Sequence, residues 1–299
     1  MTQVNIKGWI IYNGNLPGNK FLDYAKMIEQ AATAKGLETT IYKNNELLSL
    51  FSEGQLEIIG APKNNLPDFV FFADKDIYLA RQLELLGIRV FNSAQAIDIS
   101  DDKIATYQHL AAKQLPIPKT IVAPKIFYKG DIDSSLVQQI IENLSLPLII
   151  KEAYGSFGEQ VYLLKNMDEI LHKMKEIQGK PYLFQQFIPS SFGRDLRLQV
   201  VGNKVVAAME RKNSDDFRAN VTAGGSMNTY SPSIAESDLA ISAVKAIHAD
   251  FAGVDLLIGP GDTRLVCEVN SNAHIRNLLD CTGINAAVNI IDYIMEVSS

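Results

Sequence analysis

Three oxygen-bearing side chains near the C-terminus, Asp255, Glu268 and Asn270, have the types and spacing to hold a hard divalent cation. Glu268 and Asn270 stand two residues apart in a β-rich run, so they project from one face of a strand. Asp255 lies in the preceding apolar run, 254–258. A turn at Gly259-Pro260-Gly261-Asp262 folds the two runs into a hairpin, which brings Asp255 opposite residues 265–269. Magnesium suits such a set, because it takes few protein oxygens and leaves the rest of its octahedron to phosphates and water. Taken alone, the two carboxylates could equally be solvated or salt-bridged.

A second group is cationic. Lys151 ends an apolar run, 146–151, and is followed by Ala153-Tyr154-Gly155-Ser156-Phe157-Gly158-Glu159. A lysine at a strand end beside a glycine-bearing loop with free backbone N–H groups can clamp phosphates. It is not a Walker loop, since G-x-x-x-x-G-K-[ST] is absent. Further on come Asp195 and Arg197, then Arg211, Arg218 and Asn220. Arginine suits a planar, two-pronged grip on phosphate or carboxylate, though a solvated charged face is the plain alternative. Lys103 opens a helix, and Gln186 and Phe187 end an edge strand.

The elements that must position these residues alternate in type. Residues 4–12, 39–42, 68–72 and 88–91 read as strands. Helical spacing of Phe21, Ala25, Ile28 and Ala32, and a second helix over 77–86, lie between them. That order predicts a parallel, Rossmann-like sheet. No G-x-G-x-x-G follows the first strand, so a dinucleotide site is not indicated. Ser100 is expected to cap a helix starting at Asp101, with Pro116 and Pro118 ending it. A small α+β lobe follows, with strands at 146–151, 161–164 and 182–188 and a helix over 167–178. The last third holds the hairpin 196–201/205–209 around Gly202-Asn203, a polar loop over 213–228, a helix over 237–251, the hairpin above and a closing helix over 285–296. The expected division is 1–95, 96–188 and 189–299.

Composition bounds the function. A chain of 299 residues with 47% hydrophobic residues builds its core without disulfides or a structural metal. A net charge of −6 and the lack of a basic stripe argue against nucleic-acid binding. No stretch approaches the roughly 18 apolar residues of a membrane span. Cys267 and Cys281 are not spaced as a metal knuckle and point to a reducing, cytoplasmic setting. The four histidines form no ligand-spaced cluster.

Four stretches carry these residues in one order: SDDKIATYQHLAAKQLPIPKT, LPLIIKEAYGSFGEQVYLL, RDLRLQVVGNKVVAAMERKNSDDFRANVTAGGS and FAGVDLLIGPGDTRLVCEVNSN. Together they resemble the ATP-grasp superfamily, and within it the RimK-like ligases, from about Asn92 to the C-terminus. The resemblance implies an α/β ATP-grasp fold with α+β lobes behind a Rossmann-like N-terminal domain. It implies ATP and Mg2+ (or Mn2+) as cofactors. It also implies amide formation through an acyl phosphate, joining a carboxylate substrate to an amine acceptor such as an amino acid or peptide end.

Residue by residue, Lys103 and Lys151 resemble the lysines on the ATP phosphates, and Gly155 and Gly158 the mobile loop over them. Gln186 and Phe187 resemble the adenine hinge, where a glutamate is frequent at the position of Gln186. Asp195 resembles the acid that takes the ribose hydroxyls. Arg218 and Asn220 resemble the pair near the γ-phosphate and the acceptor. Arg197 and Arg211 match phosphate or carboxylate contacts, and Asp255, Glu268 and Asn270 match the metal ligands. After Asn270 the chain departs from the pattern. His274 and Arg276 stand where relatives often carry Ser-Pro-Gly or Thr-Pro, which makes them candidate substrate contacts. Relatives often assemble, so a homo-oligomer is implied. Other ATP-grasp branches, such as dipeptide or glutathione-type synthesis, and a non-catalytic ATP-binding module are the alternatives.

Overall fold

The computed structural model describes residues 6–62, 66–156, 158–219 and 224–298. The N-terminal region runs β1 (Lys7–Tyr12), α1 (Lys20–Ala34), β2 (Glu38–Lys43), β3 (Leu48–Ser52), β4 (Gln55–Ile59), β5 (Phe69–Ala73), α2 (Ile77–Leu85) and β6 (Arg89–Phe91). Its sheet has the order β2-β1-β5-β6 and is parallel throughout. The expected Rossmann-like pattern is therefore present. The β3–β4 hairpin was not anticipated; it turns through Glu53 and Gly54, both at positive φ.

The middle region holds α3 (Ala94–Asp101), α4 (Lys103–Ala112), β7 (Thr120–Val122), α5 (Ser134–Leu144), β8 (Leu148–Glu152), β9 (Val161–Leu164), α6 (Met167–Glu176) and β10 (Tyr182–Gln186). The strands form an antiparallel sheet ordered β7-β10-β8-β9. One expectation is corrected here. Asp102, not Ser100, caps α4, because its Oδ1 accepts from the backbone N–H groups of Ile104 and Ala105 at 2.8 and 3.2 Å. Ser100 belongs to the last turn of α3 and bonds instead to the Val269 carbonyl and the Ser271 N–H, both at 2.9 Å.

The C-terminal region comprises β11 (Arg194–Val201), β12 (Lys204–Lys212), β13 (Ser226–Thr229), α7 (Ile234–Ala246), β14 (Phe251–Ile258), β15 (Arg264–Asn270), α8 (Arg276–Thr282) and α9 (Ala286–Ser298). Its sheet is antiparallel in the order β13-β12-β11-β14-β15. Ser233 and Glu236 form a reciprocal capping box that starts α7.

Alternation along the strands gives each sheet face its own core. Leu198, Val254 and Val266 bury one face of the large sheet against Ala243 of α7 and Leu110 of α4. The parallel sheet is covered on both sides, as parallel sheets require. Phe72 and Trp9 pack with Leu83 and Ile97, while Ile10 and Phe71 pack with Tyr24 and with Ile290 of α9. The last helix of the chain thus seals the first sheet. Asn92, fully buried, ties the two regions together. Its amide donates to the carbonyls of Phe251 and Ser271 and accepts from the N–H groups of Asp250 and Phe251, at 2.7–3.2 Å. Both ends of the β14–β15 hairpin are thereby fixed to the end of β6.

Candidate active site

The second face of the large sheet is polar. Asp195, Arg197 and Gln199 lie on β11, Arg211 on β12, Asp255 on β14, and Glu268 and Asn270 on β15. The register pairs Asp195 with Arg211, Arg197 with Asp255, and Asp255 with Glu268. A shift between Asp255 and Leu256 leaves Cys267 as an extra residue on β15. Such a bulge changes which side chains face which way. Val266 therefore joins the α7 core, while Glu268 faces the site. The bulge also frees the Cys267 carbonyl to accept from the Tyr107 hydroxyl at 2.6 Å.

Charges on this face alternate. Arg211 grips Asp195 with two bonds of 2.6 and 2.7 Å and reaches Asp255 at 2.9 Å. Arg197 grips the same Asp255 through Nε and Nη2. Asp255 is thus held by two guanidinium groups, which outweigh its burial and keep its carboxyl below the usual carboxylate range. Asp195 moves the other way. Burial dominates over Arg211 and pushes it up to about 6. Both its oxygens lie in the fork of Arg211, and the residue is 9% exposed. That placement lets Asp195 orient Arg211. Gly253 makes the arrangement possible: a Cβ there would lie 2.6 Å from Ala273 Cβ and 3.1 Å from Arg197 Cδ.

Glu268 differs from Asp255. It is half-buried and makes no hydrogen bond or ion pair to another described residue, and its charged neighbours are Lys103 and Lys151. Lys103 is the first residue of α4. Its backbone N–H donates to the Ala153 carbonyl at 3.0 Å and its Nζ to the Gly155 carbonyl at 3.1 Å. Burial lowers its pKa, with Glu268 opposing. Lys151 is 7% exposed and its Nζ donates to the Tyr107 hydroxyl at 3.1 Å. Burial alone would lower its pKa, but Cys267, Tyr107 and Glu268 raise it, so the ammonium persists. Tyr107 was not foreseen; its spacing on α4 reads as plain core.

The glycine-bearing loop touches all three regions. Lys75 Nζ donates to Ser156 Oγ at 3.2 Å, Tyr154 Oη to Asp102 at 3.3 Å, and Arg218 Nη1 to the Gly158 carbonyl at 2.6 Å. Arg218 is also clamped by Asp216 at 2.7 and 3.0 Å. Gly155 sits at φ +140 with Gln160 Oε1 2.1 Å from where a Cβ would be, so no other residue fits without movement. Gln186 lies at the end of β10, its N–H on the Lys119 carbonyl at 2.9 Å, and Phe187 meets Phe192 edge-on at 6.4 Å. Asn220 and Phe157 lie outside the described residues. Arg276 pairs with Asp23 at 2.6 and 2.8 Å on the surface and so links α8 to α1. His274 packs its ring against Phe21 and Tyr24 at 5.0 and 5.6 Å, and burial drives its pKa down to about 4, aided by Lys20.

Residues 100–294 match the RimK-like ATP-grasp domain. The chain belongs to this family. Among relatives of this RimK-like chain, a Legionella pneumophila protein named probable alpha-L-glutamate ligase is 36% identical over 72% of the chain and 69% of its own length. N-acetylaspartylglutamate synthase A of Homo sapiens is 30% identical over 91% of the chain and 67% of its own length. The fold agrees with that of the ATP-grasp ligase PsnB, whose complex with ADP and Mg aligns at a TM-score of 0.72 and 16% identity, covering 99% of this chain and all of that one. The protein is accordingly an ATP-dependent enzyme that joins a carboxylate to an amine, with ATP and Mg2+ as cofactors.

The residues fit that pair of groups. Among the described residues no three His, Cys, Asp or Glu side chains cluster. Glu268 with the amide oxygen of Asn270 nevertheless offers the few hard oxygens that magnesium takes when phosphates complete its shell. Asp255 is the weaker ligand of the expected three, because Arg197 and Arg211 already hold both its oxygens. Among the described residues no helix is long and apolar enough to cross a membrane.

Proposed function

We propose that this ligase attaches an amino acid such as glutamate to a peptide end or small-molecule acid through an acyl phosphate. One observation supports it above others: Glu268 stands without a pairing partner among the described residues, between the cations of Lys103 and Lys151. The names of the Legionella and human relatives favour glutamate. Lys103 and Lys151 would hold the ATP phosphates, and the Gly155–Gly158 segment would cover them. Gln186 and Phe187 would flank the adenine. Arg197, Arg211, Arg218 and Asn220 would face the reacting phosphate and substrate carboxylate, with Asp195 orienting Arg211. Bound Mg2+, held by Glu268, Asn270 and Asp255, would neutralise charge on the phosphates. No nucleophilic side chain is needed, because the work is positioning and charge stabilisation. Excluding water protects the activated carboxyl from hydrolysis.

In the same reading, residues 1–95, 96–188 and 189–299 form three domains, with α9 packed back on the first. A homo-oligomer and a cytoplasmic setting belong to it, the latter supported by the free thiols Cys267 and Cys281. Incubation with Mg·ATP and mixed carboxylic acids and amino acids, followed by mass spectrometry, tests it. ADP together with a glutamyl amide is expected, and ADP-free mixtures from every pool would sink the proposal.

A further inference from the structure

The parallel sheet carries a feature the ATP site does not use. In the order β2-β1-β5-β6 the chain steps one way from β1 to β2 and the other way from β1 to β5. Open parallel sheets take ligands in the crevice at such a reversal, beyond the carboxyl ends of the strands. Asn13 follows β1 at this point and Asp74 follows β5. Asn13 Nδ2 donates to Asp74 Oδ1 at 3.0 Å, and the Lys75 N–H donates to the same oxygen at 2.7 Å. Asn272 reaches across from the far side, its Nδ2 donating to the Asp74 carbonyl at 2.7 Å. Two acceptors at this junction have no donor among the described residues: Asp74 Oδ2 and Asn272 Oδ1, both closed to solvent. Asp74 is 6% exposed.

A buried acceptor without a donor costs about 1–3 kcal/mol, and more when charged. The group that answers it best is small, positively charged and rich in donors. A primary ammonium has three N–H donors and no acceptor. Asn272 stands two residues beyond Asn270, and its N–H donates to Asn270 Oδ1 at 3.2 Å. The junction therefore adjoins the end of the hairpin that bears Glu268.

We propose that Asp74 Oδ2 and Asn272 Oδ1 form the subsite for the ammonium group of a free α-amino acid substrate. The ammonium enters only while the first sheet and the 271–275 segment part, because both oxygens are sealed. The assignment rests on the ligase reading only for what happens to the amino acid after it binds. Asn13 holds Asp74 in place and is a positioning residue.

Titration calorimetry of the full chain loaded with Mg·AMPPNP tests this, using the proteinogenic amino acids and their des-amino counterparts, such as L-glutamate against glutarate. At least one amino acid is expected to bind, with its des-amino counterpart weaker by about tenfold or more. Asp74→Asn should weaken the amino acid by a similar factor and leave the des-amino acid and AMPPNP unchanged. The subsite is overturned if no free amino acid binds, if the amino group makes no difference, or if Asp74→Asn binds as well as wild type. Should Asp74→Asn fail to fold, the comparison on wild type decides. ADP release is measured in parallel. ADP and amide formation without any dependence on the amino group leaves the ligase reading standing and this subsite fallen. Amino-acid binding that depends on Asp74 without any ADP release does the reverse.

Discussion

The arginines of the large sheet and the lysines of the middle region have their charges handled in opposite ways. Arg197 and Arg211 are matched inside the protein by Asp255 and Asp195, in an alternating ladder held through Nε and Nη2 of each guanidinium. Lys103 is half-buried and Lys151 buried, and among the described residues their direct partners are backbone carbonyls, a tyrosine hydroxyl and a thiol, while the carboxylate of Glu268 stands off from both. A closed ladder sets geometry. An underpaired set of shielded cations waits for anions to come from outside, as phosphates do. The contrast teaches that cross-strand register fixes the direction of the two arginines, while the lysines keep more of their charge open to a ligand.

The sharpest way to break that contrast is at Glu268. Glu268→Gln should cut turnover about a thousandfold, by removing a charge aimed at the metal and phosphates. Its unfolding free energy in urea should stay within about 0.5 kcal/mol of wild type, since the carboxylate has no direct pairing among the described residues to lose. Normal turnover in this variant would show that Glu268 holds nothing. Arg211→Met should do the opposite. It leaves Asp195 and Asp255 underpaired in the interior, and equilibrium unfolding should register a loss of about 3–5 kcal/mol. Lys151→Met comes third. Mg·ATP affinity should fall about ten- to a hundredfold while stability changes by less than about 1 kcal/mol. If Lys151→Met instead unfolds the protein as Arg211→Met does, the lysine is scaffold and the contrast above is wrong.

Sequence reasoning reached the parts of the site that depend on short-range pattern. The two-residue spacing of Glu268 and Asn270, and the turn at 259–262, are enough to predict one face and an opposed Asp255. The ordered motifs lead to the same family that residues 100–294 match. What stayed hidden depends on pairs far apart in the chain. Asp195 and Arg211 face each other only because β11 and β12 pair in one register. The pairing of Asp195 with Arg211 therefore has no local sign in the sequence. The bulge at Cys267, the close approach over Gly253, and the four bonds of Asn92 to residues 250, 251 and 271 leave no local signature. Neither does the Tyr107–Lys151 contact. Short elements with weak periodicity, such as the β3–β4 hairpin, α3 and α8, were missed for a simpler reason. Tertiary packing decides them.

His274 and Arg276 close the comparison on a smaller scale: both are candidates for substrate contact, one packed among rings and the other on the surface. His274 is packed on α1 and held neutral. Its folded pKa lies near 4, below the ordinary histidine value, so the unfolded chain binds the extra proton more readily. Its contribution to stability is full above about 6.5 and is lost as pH falls toward 4. Imidazole proton resonances should therefore show no titration of His274 above pH 5, and a midpoint near 6.5 would mean the ring is in water. Asp195 works against this trend: its raised pKa makes the folded state take up a proton between about pH 4 and 6, so the net acid slope is shallow. Arg276 and Asp23 are both exposed, and exposed pairs contribute less than about 1 kcal/mol. Arg276→Ala should leave the unfolding midpoint nearly unchanged and kcat/KM within about twofold. A tenfold fall in kcat/KM with unchanged stability would show that Arg276 contacts the substrate.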